Sequence, residues 1–293
     1  MKTLSKEHTI NFFSKECKPS IFTNLGEIVL VEVNDCYDNQ IKTENDLRPD
    51  IDIHKMNLAT GPIFVNSIKS GDTLCIEIEK IKTNDYGIMV ASPGLGPLGN
   101  YVEKSSTRII PIQNERIIFT ENISLPMEPM IGVIGVAPES GEVHTAIPGS
   151  HGGNMDTREI KEGNKVYFPV YTDGALVAIG DLHAAMRDGE LSGTGLETSG
   201  EVQVKFTKSN ISLLNPVIED TSSFYFVASG TSYKEAINTA LLDVTECLKK
   251  KKELSFEDSY RLISITCDLK VSQIVNKLIT IKIRVPKTIL PSL

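Results

Sequence analysis

Apolar and polar residues alternate in short runs through the first two thirds of the chain, and Gly, Pro, Asn and Asp separate the runs. Short, closely spaced strands of this kind are typical of a sandwich or barrel rather than of alternating βα units. We therefore predict a mainly β region. Its predicted strands are IVLVEVND (28–35), TLCIEIEKI (73–81), YGIMVAS (86–92), RIIPI (108–112), RIIFT (116–120), MIGVIGVAP (130–138), KVYFPVY (165–171), GALVAIG (174–180) and EVQVKFT (201–207).

The pattern changes after residue 230. SYKEAINTALLDVTECLKKKK (232–252) has the period of an amphipathic helix, and SFEDSYRLISITCDL (255–269) predicts a second helix that opens on a capping arrangement. LITIKIRVP (278–286) predicts a closing strand. The expected fold is mainly β, with a sandwich- or barrel-like N-terminal part and an α+β C-terminal part. We place a catalytic region at 1–215 and a packed α+β region at 216–293, although no linker marks the boundary.

Composition narrows the class of protein. A chain of 293 residues is long enough to close a core over a buried site. Its five cysteines show no paired spacing, which favours reduced thiols. The charged N-terminus resembles no signal peptide and no long apolar run follows, so we expect a cytoplasmic protein without a membrane partner. The net charge of -8 makes nucleic acid a poor partner.

The segment GLGPLG (94–99) matches the glycine pattern of dinucleotide-binding loops. Pro97 lies inside the turn, and the surroundings lack the βαβ unit that places a pyrophosphate on a helix N-terminus. We interpret the segment as a loop that lines a pocket.

A denser group of polar residues begins at PGSHGGNMDT (148–157). Gly152 and Gly153 follow His151 and can adopt positive φ, which lets consecutive N–H groups point into one concavity. Such a nest binds a carbonyl oxygen or the oxyanion formed from it. The alternative is a tight hairpin in which the His and Asp side chains hydrogen-bond the turn.

The run 175–179 leads into Asp181-Leu182-His183. If the chain stays extended, residues two apart project from the same face, so Asp181 and His183 converge on one point. Asp188, Glu190 and Glu197 follow closely. The result is an oxygen-rich set with one imidazole, which suits zinc or a harder divalent ion.

Asp35 ends the apolar face of its predicted strand, which also carries Val29, Val31 and Val33. An ionised carboxylate there is costly unless it is paired or bound to a metal. Asp35 is therefore either an inward ligand or a strand-end residue that reaches solvent.

Other candidates rank lower. His54 and His144 lie near turns, where a single histidine is more often a hydrogen-bonding or surface residue than a ligand. The chain has no G-x-S-x-G elbow and no cysteine in an evident nucleophile context, so covalent serine or cysteine catalysis is the weaker mechanism.

Eight segments share one further property. They are VNDCYDNQI (33–41), NLATGPIFV (57–65), GDTL (71–74), PGLGPLG (93–99), HGGNMDT (151–157), GALVAIGDLHAAMRDGEL (174–191), Gly195–Glu197 and SYRLISITCDLKVSQIV (259–275). In this order and at these spacings they resemble the acetamidase/formamidase family, and the similarity extends over nearly the whole chain. HGGNMD and GDLHAAMRDGE are its most specific parts.

The resemblance implies hydrolysis of small aliphatic amides such as formamide or acetamide, and a homo-oligomer, commonly a dimer. One departure stands out. Where the family pattern has a glutamine, this sequence reads Met186-Arg187, which predicts a cationic side chain beside the site.

Our mechanistic hypothesis places a divalent ion on Asp35, Asp181 and His183, with zinc expected and calcium as the alternative. The ion activates a water that attacks the amide carbon. Glu197 or Glu190 moves the proton from that water to the departing nitrogen.

The remaining residues of the hypothesis act around this centre. Asp156 is a further candidate catalytic carboxylate. The nest formed by His151, Gly152, Gly153 and Asn154 stabilises the oxyanion.

Two alternatives to this hypothesis stay open. The first is a non-catalytic, metal-containing β-sandwich that binds a small ligand or another protein. The second keeps the hydrolase but exchanges the substrate for a larger or cyclic amide, or a carbamate.

Overall fold

Strands account for most of the regular structure in the computed structural model, which describes residues 1–293. Its helices are α1 (Tyr233–Lys252) and α2 (Phe256–Thr266), with 3₁₀ turns at Arg48–Asp50, Ile53–Lys55 and Gly99–Tyr101. The strands are β1 (Lys2–Leu4), β2 (Thr9–Ile10), β3 (Phe12–Ser14), β4 (Ile21–Thr23), β5 (Ile28–Val33), β6 (Ala59–Val65), β7 (Thr73–Thr83), β8 (Tyr86–Ala91), β9 (Ser106–Gln113), β10 (Arg116–Thr120), β11 (Ile123–Pro126), β12 (Met130–Gly135), β13 (Glu142–His144), β14 (Gly152–Asn154), β15 (Lys165–Pro169), β16 (Val177–Ala185), β17 (Leu196–Glu197), β18 (Gly200–Ser209), β19 (Val217–Glu219), β20 (Ser223–Gly230), β21 (Asp268–Gln273) and β22 (Ile279–Pro286).

The predicted fold class is confirmed: the chain is mainly β, and its helices lie near the C-terminus. Each of the nine predicted runs contains a strand. The largest difference is at β16, which begins at Val177 and runs on to Ala185. Ala175 and Leu176 take positive φ of 60° and 57° and turn the chain before the strand. The Asp181-Leu182-His183 segment therefore lies inside a strand and not beyond its end.

The strands form two large sheets and one small one. The first large sheet has nine strands in the order β1-β5-β18-β7-β15-β19-β20-β22-β21. The second follows the order β11-β10-β9-β8-β17-β16-β12-β14, and β6, with β2 and β4, attaches to β16. Strands β3 and β13 pair separately. Strand β16 contacts β17, β12 and β6, which places it in the interior of the second sheet.

The main apolar cluster takes residues from both large sheets, so it fills the space between them. Strand β20 shows how the alternation of side chains builds two cores. Tyr225 and Val227 join the cluster between the sheets. Phe224 and Phe226 point to the other face, where they pack with the helices. A period of two residues produces this division.

Both helices pack on the outer face of the C-terminal strands and begin as predicted. Ser232 caps α1 by accepting a hydrogen bond from the Glu235 amide. Ser255 caps α2 by accepting one from the Asp258 amide. Neither helix has the length and apolar character needed to cross a bilayer.

The first sheet continues across residue 215, where the sequence suggested a regional boundary. Strand β15, before that point, pairs with β19, after it. The division into 1–215 and 216–293 stays a prediction.

Candidate active site

Strand β16 supplies two polar side chains inside the second sheet. Asp181 and His183 are both buried, and His183 Nε2 lies 3.2 Å from Asp181 Oδ1. The backbone of Asp181 is left-handed, with φ of 56°. The two side chains converge, as their spacing predicted, but through a local departure from the extended chain.

Strand β17 adds a carboxylate to this pair. Its Glu197 lies opposite His183 in the sheet, and Glu197 Oε1 is 3.2 Å from His183 Nε2. Cys36 lies on the same side, because its sulfur and the donor atoms of Asp181 and Glu197 are all within 4.8 Å of one another. Glu197 Oε2 and His183 Nδ1 are buried without a hydrogen-bond partner. The protein alone therefore leaves polar capacity unused at this point.

A second group of donors overlaps the first at His183. Donor atoms of Asp156, His183 and Glu190 also lie within 4.8 Å of one another. Asp156 and Glu190 have left-handed backbones, with φ of 41° and 49°. Non-glycine residues in this region cost free energy, and such residues cluster at functional sites.

Three asparagines surround the carboxylates. Asn57 Nδ2 lies 3.4 Å from Asp181 Oδ2, and Asn276 Nδ2 donates to Asp156 Oδ2 at 2.9 Å. With its amide nitrogen turned toward the carboxylates, Asn154 donates to Asp156 and Asp181, and its oxygen accepts from Asn57 and Asn276. The amides thus form a connected network around the carboxylates.

Two glycines leave the space that the polar groups occupy. A Cβ at Gly132 would lie 2.7 Å from both Asp156 Oδ1 and Asp181 Oδ2. A Cβ at Gly195 would lie 2.5 Å from His183 Nδ1. Any larger residue at either position would displace a donor.

Burial and mutual repulsion shift the ionisation of the group. Burial, with the Asp181 charge, raises the pKa of Asp156 to about 7. Burial raises the pKa of Glu197 to about 8, against the opposing effect of His183. Burial and the Asp156 charge raise the pKa of Glu190 well above its usual range. Burial opposes protonation of His183, but Glu197 and Asp181 raise its pKa well above the ordinary value.

The donor set fits a divalent cation. No lysine or arginine forms an ion pair with these carboxylates, and His183 is their one cationic partner. Zinc accepts imidazole nitrogen, carboxylate oxygen and thiolate sulfur, and the donors of a tetrahedral site lie roughly 3.3 Å apart. The two 3.2 Å separations around His183 Nε2 match that spacing.

Asp35 is buried close to this centre, but its carboxylate is already engaged. Asp35 Oδ1 accepts hydrogen bonds from the amides of Tyr37 and Asn39, both at 2.9 Å. Burial raises its pKa to about 6, although these two bonds act in the opposite direction. Asp35 therefore closes a turn beside the site, and its neighbour Cys36 joins the donor atoms.

The predicted nest has the expected backbone, since Gly152 and Gly153 have φ of 96° and 82°. The Gly152 amide, however, donates to the carbonyl oxygen of Gly149 at 3.0 Å. That N–H is already used. The His151 ring is buried against Phe13, its Nε2 has no partner, and burial lowers its pKa to about 4.

Four other singled-out residues lie away from the donors. Arg187 is exposed and pairs with Glu128 at 2.7 Å, so a cationic side chain beside the site is not observed. Asp188 pairs with Lys282. His54 is exposed, and His144 Nδ1 accepts from the Ala146 amide.

The glycine-rich loop packs against the segment that carries Glu190. A Cβ at Gly96 would lie 2.8 Å from the backbone of Ser192, and one at Gly193 would meet Leu95. The loop therefore covers the site's edge and precedes no nucleotide-binding helix.

Sequence reasoning did not single out Cys36, Asn57 or Asn276. Cys36 and Asn57 lie inside VNDCYDNQI and NLATGPIFV, two of the recognised segments, so their position carried a signal. Asn276 lies beyond the last recognised segment and reaches the site only through the folding of the C-terminal strands.

Comparison with known proteins gives a consistent result. The sequence model of the Acetamidase/Formamidase family matches residues 2–144 and 140–291. The structure of an acetamidase from Bacillus halodurans has a TM-score of 0.96 and 39% identity, and the match covers 99% of this chain and 98% of that one. A predicted acetamidase/formamidase from Thermoanaerobacter tengcongensis has a TM-score of 0.96 and 43% identity, with 99% and 97% covered.

Curated relatives are more distant. The formamidase of Methylophilus methylotrophus is 26% identical, over 75% of this chain and 71% of that protein. Across the three curated relatives, the matches span 59% to 71% of the relatives' own length.

Proposed function

This chain belongs to the acetamidase/formamidase family, and on that premise we propose that it hydrolyses short aliphatic amides to a carboxylate and ammonia. One observation carries the proposal: His183 lies between two sets of buried carboxylates. Its Nε2 is 3.2 Å from oxygens of Asp181 and Glu197, and donor atoms of Asp156, Glu190 and His183 lie within 4.8 Å of one another. Asp156, Asp181, Glu190 and Glu197 are each no more than 6% exposed. A site this enclosed favours a small substrate over a macromolecular one.

We assign the metal to Asp181, His183 and Glu197, with Cys36 beside them, and prefer this set to one that includes Asp35. The preference follows from the 3.2 Å separations and from the use of Asp35 Oδ1 in a turn. A divalent ion held there, which we propose to be zinc, would act as a Lewis acid: it would polarise the amide carbonyl and lower the pKa of water.

Asp156 and Glu190 are suited to proton transfer. Their repulsion disfavours two negative charges on adjacent carboxyls, so the pair holds a proton at neutral pH. An amide nitrogen needs that proton in order to leave, because an amide ion is too basic. We assign proton delivery to Glu190, whose carboxylate then takes up the proton that the attacking water loses, and orientation of the pair to Asp156.

His151 is the better oxyanion donor of the predicted nest. Its neutral ring has one N–H donor, and its buried Nε2 has no partner in the protein. Gly153 leaves room for the ring, since a Cβ there would lie 3.1 Å from His151 Nε2, and Gly152 lets the chain approach β12, since a Cβ there would clash with the Ile134 carbonyl oxygen. Asn154 orients the carboxylates. Cytoplasmic location and a homo-oligomeric assembly remain parts of this proposal.

Ammonia release tests the proposal. Purified protein is assayed with formamide, acetamide and propionamide, then after chelation, then after zinc or calcium is restored. Release that chelation abolishes and one metal restores supports both the reaction and the metal. No release from a metal-loaded protein would favour a ligand-binding module or a larger amide.

Two matched substitutions separate the roles of the glutamates. Glu190→Gln should keep the metal and lower turnover by roughly 10²-fold or more, because proton transfer is lost. Glu197→Gln should lower metal content as His183→Ala does, because a ligand is lost. Full metal in Glu197→Gln with lost turnover would make Glu197 the proton carrier instead.

A further inference from the structure

A hairpin at the end of the chain, β21 with β22, lies against the two segments that present Asp156 and Glu190. In β22, the side chains of Ile281 and Ile283 pack with the helices. Alternation turns Lys282, between them, toward the opposite face. Lys282 is fully buried, so a long cationic side chain enters the interior on the side of the active site.

Lys282 contacts two carboxylates from different segments. Its Nζ lies 2.5 Å from Glu159 Oε2 and 2.6 Å from Asp188 Oδ1. Glu159 is three residues after Asp156, and Asp188 is two residues before Glu190. A single ammonium group therefore ties together the segments that carry the two proton-transfer carboxyls.

The strand before Lys282 adds backbone links to the same segments. The Gly189 amide donates to the carbonyl of Ser272 at 2.8 Å, which fixes the residue next to Glu190. Thr157 Oγ1 donates to Ser272 Oγ at 2.9 Å, which fixes the residue next to Asp156. Ser272 thus bridges the same two segments independently of Lys282.

The turn of the hairpin extends these links into the site. Buried Gln273 accepts hydrogen bonds from the amides of Val275 and Asn276, both at 2.9 Å. Its own amide donates to the Leu278 carbonyl and to Thr280. One side chain therefore shapes the turn, and the turn presents Asn276 to Asp156 Oδ2 at 2.9 Å.

We propose that Lys282 and Asn276 are positioning residues for the Asp156–Glu190 carboxyl pair, so that the C-terminal hairpin is part of the catalytic machinery. The inference rests on the proposed amidase function. Lys282 sets the separation of the two segments, and Asn276 sets the orientation of the Asp156 carboxyl. Asp156 and Glu190 both have a left-handed backbone. That conformation persists only when surrounding contacts hold it.

A purely structural role for Lys282 makes a different prediction. Removing one partner of a buried ion pair destabilises a protein whatever its position. Loss of stability alone therefore proves nothing about the site. The proposal requires a local effect on both segments and an effect on turnover in the folded enzyme.

The experiment compares Lys282→Met, Lys282→Arg and Asn276→Ala in the metal-loaded enzyme with two controls. Asn215→Ala removes an amide that donates to Asp243 at 2.7 Å. Lys287→Met removes an ammonium 2.7 Å from Glu219. Neither control pair includes a residue of the two segments. The readouts are kcat, KM, metal content, and backbone hydrogen exchange of residues 154–160 and 186–191.

Lys282→Met should speed exchange in both segments and lower kcat about 10²-fold with KM little changed, since a misplaced catalytic group lowers the rate of the chemical step. Lys282→Arg should restore part of kcat. Asn276→Ala should lower kcat about tenfold with metal retained. Both controls should keep wild-type kcat and wild-type exchange in these two segments.

Unchanged exchange in both segments of Lys282→Met would overturn the proposal, as would wild-type kcat in folded Asn276→Ala. If the wild-type chain releases no ammonia from any amide, the proposed function fails. The exchange measurement still decides whether the hairpin holds the two segments, so the two failures are distinguishable.

Discussion

At the scale of single residues, the site depends on backbone conformations that few residue types adopt. Asp156, Asp181 and Glu190 all have positive φ, which costs of order 1–3 kcal/mol each. Sequence reasoning brought Asp181 and His183 together by assuming an extended chain, and the convergence is real. The structure reaches this convergence with a left-handed backbone at Asp181. The alternation of apolar and polar residues does not reveal that conformation.

The close packing of Gly195 against the His183 ring gives a prediction for a single residue. Gly195→Ala should lower metal content and reduce turnover at least about tenfold, because its Cβ would lie 2.5 Å from His183 Nδ1 and displace the ring. Metal per chain and ammonia release are measured on the folded variant.

Gly230→Ala is the matched control. Its Cβ would lie 2.8 Å from the Ala236 amide, which is a similar clash. This clash lies near the start of α1 and involves no donor of the site. It should lose stability and keep its metal. Full metal and turnover in Gly195→Ala would show that the His183 ring can move without cost.

At the scale of elements, the hydrophobic pattern located the strands well because buried faces alternate. Strand β5 buries Val29, Val31 and Val33 as its sequence implies. Strands such as β14 and β17 escaped detection because they are short and are held by pairing with neighbours rather than by their own pattern. Their residues Asn154 and Glu197 had to be identified from motifs instead.

Helix α2 offers a prediction for a whole element, because the capping arrangement at Ser255 predicted where the helix begins. Ser255→Ala removes the oxygen that accepts from the Asp258 amide at 3.0 Å. The free energy of unfolding should fall by about 1 kcal/mol, as for other lost N-caps. Urea denaturation followed by circular dichroism measures the change, and ammonia release should not change.

Ser264→Ala provides the control in the same helix, since Ser264 is exposed in its interior. Alanine is the better helix former there, so stability should hold or rise slightly. Equal losses in both variants would mean that the hydroxyl at residue 255 has no special role.

At the scale of the whole molecule, the site draws on distant parts of the chain. Cys36 follows β5, Asp181 and His183 lie in β16, and Asn276 comes from the turn between β21 and β22. Composition and pattern predicted the fold class. The spacing of polar residues in the sequence named Asp181, His183 and Glu197, which the structure brings together. The contribution of the C-terminal hairpin was not predictable, because it depends on which sheet faces meet.

Because the site carboxyls are buried, the stability of the folded protein depends on pH and on bound metal. In the metal-free protein, the pKa values of Asp156 and Glu197 are about 7 and about 8, well above those of unfolded carboxyls. A carboxyl with a raised folded pKa binds its proton more tightly when folded, so its contribution to stability is present at low pH. That contribution is lost as pH rises from about 4 toward 8.

A bound divalent ion takes the place of these protons and stabilises the folded state by mass action. The difference in Tm between metal-loaded and chelated protein should therefore widen from pH 5 to pH 8, as scanning calorimetry would measure. In Glu197→Gln the widening should shrink, because one titrating carboxyl is gone and its amide cannot replace it as an anionic ligand. A difference in Tm that stays constant over this range would mean that the metal binds elsewhere, since only an ion competing for these protons makes its stabilisation depend on their release.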